Sequence, residues 1–294
     1  MLLSKIIKKA IRNRSFYEPV EWGWKRSFGL TTRSKRLLPN FIIIGAQKCG
    51  TTSLFNYLSE HPDIYPSYPK EVHFFSTRFN RGIKWYRSHF PLAIQKEIVE
   101  RINNHRFLTG EASPSYFANP HAPRRVSKVV PNVLLIILLR NPVDRAYSHY
   151  HMSKKMGLEK LSFTEALDQE DERLSSELEK MIADEYYRSS ILANFSYLRR
   201  GIYIEHLLRW SKFFKRDRMF FINSEEFYSN PRKSFQQVEE ILGISSWELN
   251  EYKRYASGNY APMDSKTRKR LQEFFEPYNQ KLYDFLGLDF RWED

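Results

Sequence analysis

From position 39 onward, apolar runs alternate with amphipathic stretches. Short apolar runs rich in branched side chains are typical of strands buried on both faces of a sheet. They predict strands over Phe41–Ile44, Phe107–Gly110, Val133–Leu139 and Met219–Ile222. Apolar residues at helical spacing predict helices starting at Thr51 and Pro142, and helices over 92–103, Tyr203–Phe214, Pro231–Leu242 and Asp264–Leu286. Strands alternating with helices predict an α/β fold with three α/β/α layers around a central parallel sheet.

Three stretches interrupt this alternation. Three prolines exclude a helix between residues 61 and 70, and the predicted loop carries Lys70, Glu71 and His73. Residues 161–194 have a helical pattern with charge on most faces, which predicts a solvated, exposed excursion. Lys253–Met263 contains a glycine and a proline and is predicted to be a loop.

The stretch between the first strand and the first helix has the pattern of a phosphate-binding loop. Gly45 and Gly50 have the spacing of the motif GxxxxGK[ST], but Thr51 stands where that motif has lysine, and the cation of this loop is Lys48. A glycine loop leading into a helix points backbone amides and the positive helix end at one place. Thr51 and Thr52 are predicted to cap the helix. The pattern predicts a P-loop-like anion site; the alternative is an ordinary strand-to-helix turn with an exposed lysine.

The strongest strand pattern, Val133–Leu139, ends at Arg140. Asn141 and Pro142 then begin a helix with a favourable cap and first residue. In a nucleoside triphosphatase such a strand commonly ends in the acid that holds magnesium. An arginine here indicates direct pairing with a phosphate and predicts no metal site, and Ser148 offers a hydroxyl to the same anion. The alternative is a structural arginine in a surface ion pair.

Charge and cysteine content narrow the class of protein. The 294 residues carry a formal charge of +13, and residues 1–38 hold ten Lys/Arg against two Asp/Glu, a net +8. The single cysteine, Cys49, allows no intrachain disulfide. The longest uninterrupted apolar run, Val133–Leu139, is too short to span a bilayer, and Met1–Leu3 is followed at once by lysines rather than by a signal-peptide core. These features predict a cytoplasmic protein.

Residues 1–38 are interpreted as a basic N-terminal arm that is solvated and packs on the domain. The alternative is peripheral contact with an anionic membrane surface, since the apolar residues of Met1–Arg14 can share one helical face. No zinc finger, helix-turn-helix or RNP-type pattern is present, so no nucleic-acid partner is expected. A basic protein whose ligand is a polyanion needs no further partner to explain its charge.

With these pieces placed, the sequence resembles the sulfotransferases that use 3′-phosphoadenosine 5′-phosphosulfate (PAPS). It is most similar to the branch of heparan sulfate sulfotransferase domains and their bacterial relatives. The segments that carry the resemblance are GAQKCGTTSL, PKEVHFF, LLRNPVDRAYSHY and YAPMDSKTRKRLQEFFEPYNQKLYDFLG. The resemblance covers residues 39–292, which are therefore expected to form the sulfotransferase domain.

The resemblance implies roles for individual residues. Lys48 would balance the charge that grows as the nucleotide leaves, and Glu71 would be the acceptor base, with His73 as its rival. The implied donor contacts are Lys48 and then Gly50, Thr51, Thr52 and Ser53 on the 5′-phosphate, Arg140 and Ser148 on the 3′-phosphate, and Ser257, Gly258 and Asn259 in the terminal loop. The implied acceptor contacts are His73, Phe74 and Tyr116.

At two places this sequence departs from the family pattern in residues that are expected near the acceptor. The glycan-modifying relatives have lysine where this chain has Ala112, and Lys-Gly-Arg where it has Ser257-Gly258-Asn259. Fewer cations near the acceptor argue against a heavily sulfated polysaccharide. The expected reaction is sulfuryl transfer to a hydroxyl or amine of a carbohydrate, a lipid or a small metabolite. The alternatives are a P-loop kinase-like phosphotransferase and a catalytically inactive nucleotide- or glycan-binding module.

Overall fold

The structure is a computed structural model that describes residues 30–103, 106–255 and 258–292. Most of the predicted basic arm, residues 1–29, and Ser257 of the terminal loop lie outside the described residues. The division into an arm, 1–38, and a domain, 39–292, therefore stays a prediction. No helix of the described residues is long and apolar enough to cross a bilayer.

The core of the fold is a four-stranded sheet in the described part of the chain, with all neighbouring strands parallel. Its strands are β1 (Phe41–Gly45), β2 (Gly110–Ala112), β3 (Leu134–Leu139) and β4 (Met219–Asn223). Every residue of β1 is buried, as its unbroken apolar pattern predicts. Helices flank the sheet, so the predicted α/β class with a central parallel sheet is confirmed.

The second strand is shorter and later than predicted. Phe107 and Leu108 lie outside the sheet: Leu108 bridges to Ile64, and Phe107 stacks on Tyr65 with ring centroids 3.8 Å apart. The strand proper starts at Gly110, where β1 brings Phe41 so close that a Cβ on the glycine would lie 2.5 Å from its ring. Residues 107–108 are therefore apolar because they pack beside the sheet, not because they pair with a strand within it.

The strand order is β2-β1-β3-β4. The chain leaves β1 to form β2 on one side, then crosses to form β3 on the other side of β1. Such a reversal opens a crevice at the carboxyl ends of the two strands concerned, where open parallel sheets bind their ligands. In this protein that crevice lies between the end of β1 and the end of β3.

The helices largely follow the predicted pattern. Their bounds are α1 Thr51–Glu60, α2 Phe74–Thr77, α3 Gly82–Arg87, α4 Ala93–Asn103, α5 Ala122–Val129, α6 Pro142–Lys155, α7 Phe163–Asp168, α8 Glu170–Leu174, α9 Glu177–Ala183, α10 Ser190–Phe195, α11 Tyr203–Ser211, α12 Ser224–Ser229, α13 Pro231–Leu242 and α14 Ser265–Leu286. Asn141 caps α6 by accepting from the Val143 amide, as predicted. Asp264 caps α14 in the same way through the Thr267 amide.

Residues 161–194 are not a solvated excursion, which corrects the prediction. They form four short helices, α7 to α10, and two of their carboxylates are buried. Glu170 accepts from the Leu198 and Arg199 amides, and Glu177 accepts from the Ser189 hydroxyl. A buried carboxylate that is fully hydrogen-bonded looks like a surface residue in the sequence, so the charge pattern concealed the packing.

Candidate active site

The loop after β1 ends in a helix start that is open to an anion. Gly50 precedes α1 with φ +96°, and a Cβ there would lie 2.9 Å from the Tyr228 hydroxyl, so glycine suits this position. Thr51 and Thr52 are the first residues of α1 and make no capping hydrogen bond, which corrects the predicted cap. The amides of the first turn have no partner within the helix and add to its positive end.

Lys48 and Arg140 lie on the same side of the molecule. Lys48 sits in the loop with φ +72°, and Arg140 Nη1 donates to the Lys48 carbonyl at 3.5 Å. Neither side chain forms an ion pair with a carboxylate of the described residues. Burial and the neighbouring Arg140 lower the pKa of Lys48, so the two cations repel each other. Two adjacent cations without an acidic partner form a site that favours an anion.

A third cation, Arg145, is close enough to interact electrostatically with Lys48 and Arg140. Arg145, on the first turns of α6, is fully buried and donates to the Tyr197 carbonyl. It forms no salt bridge with the described residues, and its burial lowers its pKa. Ser148, the other predicted donor contact on this helix, is 7% exposed. Arg145 was missed from the sequence because its spacing gives no sign that its charge lies near the loop.

Glu71 is the centre of a second polar cluster. Its carboxylate accepts from Lys70 Nζ at 2.9 Å and lies 3.2 Å from His73 Nε2. Burial alone would raise the pKa of Glu71, but the contacts with His73 and Lys70 outweigh it and lower the pKa to about 2. Lys70 Nζ also donates to Thr52 Oγ1 at 2.9 Å, so one lysine connects the predicted base with the first turn of α1.

The role of Lys70 can be tested through the pH dependence of turnover. In Lys70→Met the pKa of Glu71 should rise toward its ordinary value, because a cation that favours the charged carboxylate is removed. Glu71 then becomes protonated at a higher pH, so the acid-side fall of kcat/KM should begin at higher pH than in the wild type. Lys84→Met, at an exposed lysine, is the control. An acid limb that coincides in all three proteins would contradict this electrostatic role.

The loop that carries Glu71 is held by a buried carboxylate. Glu111 is fully buried and accepts from the hydroxyls of Tyr86, Tyr116 and Ser113 and from the Val72 amide. The Ser113 hydroxyl in turn accepts from the His73 amide. Burial raises the pKa of Glu111. The buried carboxylate of β2 therefore supports the loop that carries Glu71.

Three predicted site residues have buried side chains. Phe74 is 1% exposed and stacks on Tyr86 with ring centroids 4.5 Å apart. Tyr116 is 0% exposed, and its hydroxyl is taken by Glu111. Ser53 is 0% exposed, and its hydroxyl accepts from the Tyr255 amide at 3.0 Å. Both aromatic rings pack in the core, and the predicted contacts of Phe74 and Tyr116 with the acceptor and of Ser53 with the donor stay predictions.

The terminal loop passes over both anion-binding elements. Near its start, the Lys253 carbonyl accepts from the Tyr57 hydroxyl of α1 at 2.9 Å. Near its end, the Ala261 carbonyl accepts from the Tyr147 hydroxyl of α6 at 3.0 Å. Gly258 and Asn259 lie exposed between these anchors. Their predicted contact with the donor stays a prediction.

Comparison with known proteins agrees with this geometry. A family described as "Sulfotransferase domain" matches residues 38–276. The chain belongs to the sulfotransferase family. A sulfotransferase from Alicyclobacillus acidocaldarius has a similar crystal structure, with a TM-score of 0.65 and 30% identity, covering 88% of this chain and 100% of that one. The predicted family and the P-loop-like class are thereby confirmed, and the kinase alternative is set aside.

Two further relatives are similar along most of their length. Human heparan sulfate glucosamine 3-O-sulfotransferase 6 is 31% identical over 88% of this chain and 75% of its own. Membrane-associated sulfotransferase kil1 of Dictyostelium discoideum is 29% identical over 87% of this chain and 67% of its own. The two relatives differ in what their names state: one is a heparan sulfate glucosamine sulfotransferase, and the other is membrane-associated.

Proposed function

We propose that this sulfotransferase transfers the sulfuryl group of PAPS to a hydroxyl of its acceptor. The observation that carries the proposal is the pair Lys48 and Arg140, in contact at the crevice between β1 and β3, without a carboxylate partner among the described residues. Loop amides and two cations suit a ligand with two phosphate groups, because each charged end meets its own donors. Arg140 and Ser148 would take the 3′-phosphate, which ATP lacks.

The reaction depends mainly on the positioning of the reactants and on the stabilisation of charge in the transition state. Sulfuryl transfer, like phosphoryl transfer, is an in-line displacement in which the protein orients groups and stabilises developing charge. Lys48 would neutralise the negative charge that develops on the leaving oxygen. Glu71, ionised because of its low pKa, would accept the proton of the acceptor hydroxyl as the new S–O bond makes that proton acidic. His73 is placed to keep the carboxylate oriented.

The relatives support a carbohydrate among the candidate acceptors, since several bear names of heparan sulfate sulfotransferases. Ala112 and Asn259 stand where the glycan-modifying branch has cations, which argues for a less charged acceptor than heparan sulfate. A cytoplasmic location and membrane contact through residues 1–38 remain predictions. The membrane-associated relative kil1 supports a test of the arm with anionic vesicles.

The donor assignment is tested by calorimetry with adenosine 3′,5′-bisphosphate in the presence of EDTA. The wild type should bind, and Arg140→Ala should bind about 10–100-fold more weakly, because a charge-assisted contact of ~1.5–3 kcal/mol is lost. Adenosine 5′-phosphate, which lacks the 3′ group, should bind both proteins equally. Arg81→Ala, at an exposed arginine, is the control. No detectable binding of the bisphosphate to the wild type would overturn the proposed donor.

A further inference from the structure

A cavity of about 390 Å³ adjoins both halves of the candidate active site. On one side it is lined by Ser115, whose hydroxyl lies 3.1 Å from His73 Nδ1. On another it is lined by Arg200, whose Nη1 donates at 2.7 Å to the side chain of Gln47, the neighbour of Lys48 in the loop. The wall of the cavity is thus hydrogen-bonded through Ser115 to His73, the partner of Glu71, and through Arg200 to Gln47, which precedes Lys48.

The outer wall of the cavity comes from the helices that the sequence had suggested to be a solvated excursion. α8, α9 and α10 contribute the apolar side chains of Leu174, Leu178 and Leu192. The volume is that of a pocket for a small molecule, since such pockets hold roughly 300–1,000 Å³. A polysaccharide chain instead requires a groove that continues past the reacting sugar on both sides.

The cavity is lined by more arginines than acidic side chains. Arg188, Arg199, Arg200 and Arg209 line it, and none forms a salt bridge with a carboxylate of the described residues. Burial lowers the pKa of Arg200 to about 10, so it remains a cation at neutral pH. Arg209 Nη2 donates to Nδ1 of the buried His206 at 2.5 Å, and its burial likewise lowers its pKa.

Three carboxylates also line the cavity: Asp171, Glu179 and Glu205. The four arginines exceed them by one positive charge. Arg188, Arg199, Asp171 and Glu179 are exposed, which leaves the half-buried Arg200 and Arg209 against one half-buried carboxylate, Glu205. A half-buried guanidinium group without a carboxylate partner is costly, and a carboxylate, phosphate or sulfate group on a ligand would supply that partner. An excess of one charge suits a single acidic group better than a polyanion.

We propose that this cavity binds the acceptor, and that the acceptor is a compact hydroxylated molecule with one acidic group and an apolar part. The inference rests on the proposed function, because it takes the neighbouring Glu71 and Lys48 as the reacting site. It goes beyond that function by selecting, among the hydroxyl acceptors, small acidic molecules over polysaccharide chains. Arg209 is assigned to the acidic group, and the leucines of α8–α10 to the apolar part.

The experiment uses the full chain, sulfur-labelled PAPS and two acceptor pools from a host-cell extract: a low-mass filtrate and a polysaccharide fraction. The expected result is a labelled product in the low-mass pool whose unsulfated precursor is retained by an anion exchanger. Arg209→Gln should lower the initial rate with that pool about 10–100-fold, the loss expected for one charge-assisted contact. Lys212→Gln removes an exposed charge just after α11 and should leave the rate unchanged.

Calorimetry with adenosine 3′,5′-bisphosphate separates the two levels of the proposal. Equal affinity in Arg209→Gln and the wild type shows that the fold and the donor site are intact, so the lost rate belongs to the acceptor. Label found only in the polysaccharide fraction overturns the inference and leaves the proposed function standing. A precursor that the exchanger does not retain would contradict the proposal that the acceptor carries an acidic group. An unchanged rate in Arg209→Gln would contradict the assignment of Arg209 to that group. Absence of label from both pools overturns the proposed function itself.

Discussion

Lys48→Ala should lower kcat about 10²–10³-fold, because removing a donor that stabilises developing charge typically costs ~3–4 kcal/mol of barrier. Lys48 is the cation of the loop, it has no carboxylate partner among the described residues, and Arg140 touches its carbonyl. Its charge is thus uncompensated where the leaving oxygen is proposed to sit. Affinity for the bisphosphate should also fall, since one of the two adjacent cations is gone.

The measurement is a steady-state assay with varied PAPS, together with calorimetry of the bisphosphate product. Lys128→Ala is the matched control, because Lys128 is exposed near the end of α5 and removes the same charge from the surface. An unaltered kcat in Lys48→Ala would remove this lysine from the mechanism. A change in affinity alone would show that it holds the donor without stabilising the transition state.

Glu71→Gln should lower kcat by about 10²-fold or more while bisphosphate affinity stays unchanged. Glutamine keeps the shape of the side chain and its contact with Lys70, but it has no basic oxygen to take the acceptor proton. Donor binding is expected to survive because the anion-binding atoms lie in the loop after β1 and at the start of α6. The assay is turnover of labelled PAPS with the acceptor pool that supports transfer.

Two variants make this result decisive. Glu60→Gln, at the exposed end of α1, carries the same substitution away from the site and should behave as the wild type. His73→Gln separates the two candidate bases, because His73 Nε2 lies only 3.2 Å from the Glu71 carboxylate. Undiminished turnover in Glu71→Gln together with its loss in His73→Gln would transfer the base role to the histidine.

The sequence predicted best where local chemistry decides the structure. β3 follows from an unbroken apolar run, and Asn141 and Pro142 set the start of α6 by their own cap and φ preference. Gly50 permits the turn that brings Lys48 beside α1. Because parallel strands end at one edge of a sheet, two such local motifs are enough to bring Lys48 and Arg140 to the same crevice.

The sequence predicted poorly where distant residues decide the structure. Tyr116 was expected among the acceptor contacts, and nothing in its local sequence showed that its hydroxyl is bonded to the buried Glu111. The bridge from Lys70 to Thr52 joins two loops whose separation in the chain gives no pattern. In residues 161–194, backbone amides and hydroxyls elsewhere in the fold satisfy the buried carboxylates, so composition alone pointed to the solvent.

The Tyr255 amide donates to the Ser53 hydroxyl, which joins two residues that are 202 positions apart in the sequence. The terminal loop therefore meets α1 beside the turn that opens the anion site. A ligand seated there stabilises both segments, since a molecule that binds only the assembled fold shifts the whole folding equilibrium. Donor binding and the stability of the domain are in this way thermodynamically linked.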